Sequence, residues 1–101
     1  MSLYTSGIQS APLADAVLAQ TALFEAATTT VCVTIAGSLS FSARLEVVDG
    51  SGSVTFSQLI SVPSSDTKQL AFDIDIIKNG FIRIVNQVLV LGIVVQASIR
   101  V

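Results

Sequence analysis

The sequence consists largely of short segments in which apolar and polar residues alternate, the pattern of β-strands with one buried face. The clearest example is the final segment, Ile93–Val101. Its odd-numbered residues are all apolar and are expected to face the core. The opposite face carries Val94, Gln96, Ser98 and Arg100. An apolar strand at about Phe81–Val85 precedes it, and an apolar segment containing Gly92 joins the two. These two strands are therefore predicted to carry much of the core.

Four more alternating segments lie between residues 28 and 76 and are separated by turn residues. The predicted buried faces take every second residue of Val31–Ile35, Phe41–Val47, Val54–Phe56 and Leu70–Ile76. About seven strands with short turns are typical of an all-β fold, so we predict an antiparallel β-sandwich or a jelly-roll-like barrel.

Two irregularities interrupt this pattern. The segment Asp49–Gly52 suits a tight hairpin turn, because Asp-Gly and Gly accept positive φ angles. Within the strand Val54–Val62, the adjacent residues Leu59 and Ile60 break the alternation. Such a break predicts a β-bulge or a bend at that point.

The N-terminal part of the chain carries weaker signals. Residues 1–11 are small and polar without periodicity, so we predict an extended or disordered N-terminal arm. Residues 12–27 are rich in alanine and begin with Pro12, which fits the first turn of a helix. They also fit a strand in which Val17, Ala19, Thr21 and Leu23 share a face. We favour the strand because the later segments are all β, and we assign residues 12–101 to one β-sandwich domain.

The composition predicts that this domain covers part of its surface by assembly. Hydrophobic residues make up 51% of the chain and charged residues only 12%, about half the usual share of charge in soluble domains. A monomer of this size has few charged residues with which to cover its surface, so copies of itself or a partner are expected to bury the excess apolar area. The alternative is a monomer whose surface is solvated by Ser and Thr hydroxyls.

Charge and hydropathy exclude several classes of partner. The five basic residues are scattered and the net charge is −2, so nucleic-acid binding has no electrostatic basis. The longest apolar run, Val88–Val95, is far shorter than the roughly 20 residues needed to span a membrane. The N-terminus lacks the pattern of a secretory signal. Cys32 is the only cysteine and is expected to be a half-buried packing residue.

The chain offers few residues for chemistry. Asp73 and Asp75 share one strand face at about 7 Å, a spacing that could serve glycoside hydrolysis or contribute to a calcium site. The simpler interpretation is a solvated face balanced by Arg44 or Arg83 across the sheet. No histidine is present to activate a serine or cysteine nucleophile. We therefore expect no enzymatic activity, no cofactor and no bound metal.

Four segments together resemble the small β-sandwich virion proteins of tailed bacteriophages, which decorate or cement the capsid or belong to head and tail fibres. They are the small-residue segment Ser10–Thr21, the alternating strand Val31–Ile35, the hairpin Leu45–Gly52, and Gly80–Val85 followed by the alternating last strand. The resemblance covers residues 10–101 and concerns layout and composition. Many such proteins carry Trp or Tyr near the last hairpin, where this chain has Val88–Leu91.

The resemblance implies a capsid decoration or cement protein, located on the capsid surface of a virion. It would form a homotrimer, bind the major capsid protein and stabilise an icosahedral head. For the shell contact we select Leu3 and Tyr4 in the arm, and for the contact between subunits we select Val88, Leu89, Val90 and Leu91. For the last four residues the alternative is an ordinary hairpin core. The alternative function is a receptor- or carbohydrate-binding module of a phage tail or fibre.

Overall fold

The alternating segments form two packed β-sheets in the computed structural model, which describes residues 3–25, 27–76 and 78–101. These ranges contain eight strands and no helix. The strands are β1 Leu3–Ser10, β2 Val17–Gln20, β3 Ala27–Gly37, β4 Phe41–Val48, β5 Val54–Val62, β6 Thr67–Ile76, β7 Phe81–Asn86 and β8 Val94–Arg100.

The order of the strands defines the topology. One sheet has the order β1-β8-β3-β6 and the other β2-β7-β4-β5, and all neighbouring strands are antiparallel. Strand β1 therefore pairs with β8, β2 with β7, β3 with β6 and β4 with β5, as if one long hairpin had been rolled up. This is the jelly-roll arrangement of an antiparallel sandwich. The predicted fold class is confirmed.

The core lies between the sheets and consists mainly of the side chains that the alternation predicted to face inward. Ile93, Val95, Ala97 and Ile99 are at most 2% exposed, and the predicted inward residues of β3 and β4 are also buried. Leu70 and Phe72 of β6 are only partly buried, because β6 is an edge strand.

The predicted bulge at Leu59 and Ile60 is wrong. Both residues pair in regular register with β4, and the irregularity instead lies where Val47 pairs with Phe56 but Val48 pairs with Val54. Leu59 faces away from the core and Ile60 faces into it. Two adjacent apolar residues therefore occupy both faces of a regular strand. The alternation in the sequence breaks at this point because Leu59 is an apolar residue on the exposed face.

The arm predicted for residues 1–11 is in the structure part of the sandwich. From Leu3 to Ser10 the chain is extended as expected, but it forms β1 and pairs along β8. The register shifts between Thr5 and Ile8, where Gly7 adopts a positive φ of 76°. Backbone hydrogen bonds to β8 hold this polar segment in the sheet. Its sequence therefore shows little of the apolar alternation that marks the other strands. Met1 and Ser2, the start of the predicted arm, lie outside the described residues.

Within residues 12–27 the favoured strand is present, although it is short. It is β2, whose register with β7 shifts between Val17 and Ala19. As a result Leu18, Ala19 and Thr21 are buried, whereas Val17 and Leu23 are exposed. The predicted common face of Val17, Ala19, Thr21 and Leu23 is therefore wrong, because the irregularity turns Leu18 inward as well.

Candidate functional site

Exposed apolar side chains gather at one end of the sandwich, on the loops that follow β1, β3 and β7. We name this surface the apolar tip; it consists of Leu13, Leu39, Val88, Leu89 and Leu91. Their exposed fractions range from 41% for Leu39 and Leu89 to 80% for Leu91. The loop 63–66 reaches the same end and is polar. A surface of this kind, built on loops over a rigid scaffold, is where proteins commonly bind partners.

Asn86, the last residue of β7, holds the backbone of the tip in place. The residue is only 2% exposed. The Nδ2 amide group donates to the carbonyl oxygens of Pro12, Leu13 and Val88, at 2.8, 3.2 and 2.9 Å. The backbone of Asn86 adds two bonds, accepting from the Asp15 amide and donating to the Ala16 carbonyl. One buried amide thus ties the loop after β1 to the loop after β7.

Further bonds join the remaining loops to the same end. The Ala11 amide donates to the Ile93 carbonyl, and Ser38 exchanges two bonds with Val94, one through its backbone amide and one through its hydroxyl. Val90 is half-buried and packs against the core from within the loop after β7. The backbone of the tip is therefore fixed while its leucines remain in water.

A network of charged side chains supports the tip from the outer face of the second sheet. Arg44 donates to Asp15 at 2.5 Å and to Gln87, and its Nε lies 3.4 Å from Glu46. Arg83 donates to the other carboxylate oxygen of Glu46 at 2.8 Å. The hydrogen bond to Asp15 raises the pKa of Arg44 above its ordinary value. Because Asp15 and Gln87 lie in two of the tip loops, the network anchors both loops to β4.

The residues selected from the sequence fall at opposite ends of the molecule. Val88, Leu89 and Leu91 are exposed on the tip, whereas Val90 turns toward the core. Leu3 lies at the far end of β1, opposite Arg100, and is 59% exposed. Tyr4 is partly buried against the core. The sandwich is 39 Å long, so the two surfaces are well separated.

The carboxylate pair on β6 is held by threonines. The hydroxyl of Thr30 donates to Asp73 at 2.7 Å, and that of Thr28 donates to Asp75 at 2.6 Å. The predicted balance by Arg44 or Arg83 is wrong, since both arginines lie on the other sheet. Within the described ranges no three His, Cys, Asp or Glu side chains are grouped closely enough to hold a metal ion.

The hairpin between β4 and β5 is organised by Asp49. Its Oδ1 accepts from the Ser51 amide, the Ser51 hydroxyl and the Ser53 amide, at 2.9, 2.6 and 3.0 Å. These bonds, the Ser51 hydroxyl foremost, lower the pKa of Asp49 below its ordinary value. Gly52 adopts a φ of 91° in the same turn. The segment Asp49–Gly52 is therefore the hairpin turn that the sequence predicts.

A shallow groove of about 370 Å³ crosses the outer face of the first sheet. Thr34, Gln69, Ser98 and Arg100 supply most of its polar lining, and Leu3 is part of its apolar lining. Cys32 also lines the groove and is exposed. The prediction of a half-buried cysteine is wrong, because its neighbours Val31 and Val33 take the inward positions of β3.

Sequence reasoning missed Asn86, Leu13 and Leu39. A leucine between two serines, as in Ser38–Ser40, is a signal that could have identified Leu39. Leu13 lies in the segment whose pattern fits both a helix and a strand, and Asn86 carries no local signal of burial. No helix long and apolar enough to cross a membrane occurs in the part of the chain that the structure describes.

The two rolled-up sheets with loops gathered at each end place the protein in the class of jelly-roll β-sandwiches. A scan against protein-family models matches no family, and searches of curated proteins and of solved structures find no match either.

Proposed function

We propose that the protein is a non-enzymatic structural protein of a virion, a capsid decoration or cement protein that forms a homotrimer and binds the major capsid protein. The observation that carries the proposal is the apolar tip. Burying a fully exposed leucine contributes roughly 1.5 to 3 kcal/mol, so several on one fixed surface favour association strongly. The tip is assigned to the contact between subunits.

The shell contact is assigned to the other end of the sandwich, around Leu3. The packing of Tyr4 against the core leaves Leu3 as the exposed member of the selected pair. A trimer presents this end three times, so modest individual contacts add up to firm binding. Jelly rolls occur in viral capsid proteins and in lectins. That analogy concerns the fold alone, and the proposal rests on the exposed surfaces.

The groove on the first sheet favours a second candidate function, a receptor- or carbohydrate-binding module. Thr34, Gln69, Ser98 and Arg100 offer hydrogen-bonding groups of the kind that hold sugar hydroxyls. The groove lining contains no aromatic side chain on which a sugar ring could stack. A glycan-array screen with and without calcium tests this function, and binding that requires Arg100 would support it over assembly.

The proposed function is tested by co-sedimentation with heads of the phage whose genome encodes the chain. The wild-type protein is expected to sediment with the heads, and Leu3→Ser is expected to weaken binding. Ile8→Ser is the matched control, because Ile8 is at least as exposed as Leu3 on the same strand but lies near the opposite end. Deleting residues 1–11 would remove an edge strand, so point substitutions are the sharper test. Failure of the wild-type protein to bind would contradict the proposal.

A further inference from the structure

Strand β5 has one edge with no neighbouring strand among the described residues. It pairs only with β4, so the backbone amide and carbonyl groups on its other side point outward. All residues from Val54 to Leu59 are exposed, including Phe56 at 39% and Leu59 at 54%. An edge of this kind is a template for one more strand.

The other three edge strands carry features that discourage such pairing. Strand β1 has the Gly7 bulge, and β2 is only four residues long. Strand β6 carries Lys68, Asp73 and Asp75. In contrast, β5 contains no charged residue, no proline and no glycine over nine residues. Its register with β4 is regular from Phe56 to Val62. Among the described edge strands, only β5 lacks these protective features over most of its length. Its one irregularity lies at its start, beside Val54.

The sequence of β5 indicates which strand fits its edge. Its nine residues, Val-Thr-Phe-Ser-Gln-Leu-Ile-Ser-Val, are nearly palindromic in side-chain type about the central Gln58. Val54 corresponds to Val62, Thr55 to Ser61 and Phe56 to Ile60; only Ser57 and Leu59 differ in polarity. Antiparallel pairing of two identical strands about a two-fold axis places corresponding residues opposite each other. The strand that best fits the free edge of β5 is therefore a second, antiparallel copy of β5.

We propose that β5 pairs antiparallel with β5 of a second copy of this chain, about a two-fold axis at Gln58. Phe56 then lies opposite Ile60 of the second copy, and Gln58 lies opposite its equivalent. Apolar cross-strand pairs of this kind stabilise a sheet, and the neutral strand introduces no repulsion between like charges. The pairing joins two four-stranded sheets into one and gives the outward backbone groups of both edges partners in the second copy. The Leu59 carbonyl, which accepts from Gln58 Nε2 at 3.1 Å in the single chain, would then accept from the backbone of the second copy.

This pairing does not depend on capsid binding. Strand β5 runs along the side of the sandwich, whereas the tip lies at its end, so one chain can use both surfaces. To separate them, the pairing is tested in a Leu89→Ser/Leu91→Ser background, which removes two of the exposed leucines of the tip. In that background we expect a mass of two chains, twice 10.5 kDa.

Opposite charges at the axis provide the decisive experiment. Gln58→Lys, added to the Leu89→Ser/Leu91→Ser background, places two like charges opposite each other. It is expected to halve the mass measured by light scattering. Gln58→Glu is expected to have the same effect. Mixing the two variants in equal amounts is expected to restore the mass of two chains. Misfolding would not be rescued in this way. Gln96→Lys is the matched control, because Gln96 is exposed on a strand with neighbours on both sides, and it should leave the mass unchanged.

A covalent readout adds a second test. Antiparallel partners lie about 4.5 to 5.5 Å apart at Cα, a distance that permits a disulfide. In a Cys32→Ser background, Gln58→Cys is expected to form a covalent dimer on mild oxidation, whereas Gln96→Cys should form little covalent dimer. Three results would overturn the pairing. The Leu89→Ser/Leu91→Ser protein could already have the mass of one chain, or the mixture of Gln58→Lys and Gln58→Glu could stay at that mass. Gln58→Cys and Gln96→Cys could also cross-link equally.

Discussion

The rings of Phe56 and Phe72 meet edge to face across the gap between the two sheets. Their centroids are 6.3 Å apart and the ring planes are inclined by 65°. Phe56 belongs to β5 and Phe72 to β6, the edge strands on one side of the sandwich. The two rings therefore close this side of the core, beside the edge proposed for strand pairing.

A double-mutant cycle measures this contact. Phe56→Leu and Phe72→Leu each keep an apolar side chain but remove the interaction between rings. We expect a coupling of about 0.5 to 1.5 kcal/mol in the free energy of unfolding, the usual value for an aromatic pair. Urea denaturation of the two single variants and the double variant gives this value. Additive effects would mean that the rings contribute only as separate apolar groups.

Asn86 is predicted to control the tip without belonging to its exposed surface. Asn86→Ala removes three hydrogen bonds and leaves buried carbonyl groups without their donor, which should lower the free energy of unfolding by about 1 to 3 kcal/mol. Limited proteolysis should then cut first within the loops 11–16 and 87–93. Gln96→Ala, at an exposed position of β8 outside these loops, serves as the control. Uniform protection of these loops in the Asn86 variant would contradict the role assigned to the side chain.

The two carboxylates bound to Arg44 should differ in their contribution to stability. Glu46 is 8% exposed and accepts from two arginines, so Glu46→Gln is expected to cost about 1 to 2 kcal/mol. Asp15 has a side chain that is 75% exposed, so Asp15→Asn should change stability by no more than about 0.5 kcal/mol because water screens the pair. Thermal unfolding of both variants at neutral pH checks this order. A larger loss of stability for Asp15→Asn than for Glu46→Gln would contradict this order. It would mean that the bond to Asp15, which anchors its loop, contributes more than the buried carboxylate.

Asp49 should make the hairpin sensitive to acid. Its pKa is lowered in the folded protein, so its carboxylate contributes stability above the ordinary pKa, and this contribution is lost as the pH falls below about 4 toward the folded pKa. Asp49→Asn lacks this titration. The difference in Tm between the wild-type protein and the variant should therefore shrink between neutral pH and strong acid. A constant difference would contradict the assignment.

Much of the fold could be predicted because burial with a period of two is a local property of the sequence. The faces of β3, β4 and β8 follow directly from their alternation. Strand β1 could not be placed in this way, since backbone bonds to residues more than 80 positions away hold a largely polar segment. The face of β2 could not be predicted either, because an irregularity turns Leu18 inward beside Ala19 and leaves Val17 exposed.

The candidate site was only partly predictable. The apolar run Val88–Leu91 fits a buried hairpin as well as an exposed surface, and only the path of the loop decides between them. That path depends on Asn86, whose burial follows from distant contacts with Pro12 and Leu13. The sequence could therefore identify the residues of this loop but not their association with Leu13 and Leu39.

The central claim, assembly through the apolar tip, is tested most directly by the solution mass of the purified protein over about a hundredfold dilution. We predict a wild-type mass of at least three chains that survives dilution, and a mass of no more than two chains for Leu89→Ser/Leu91→Ser. A wild-type protein that is a stable monomer throughout, or a tip variant with unchanged mass, would contradict the claim.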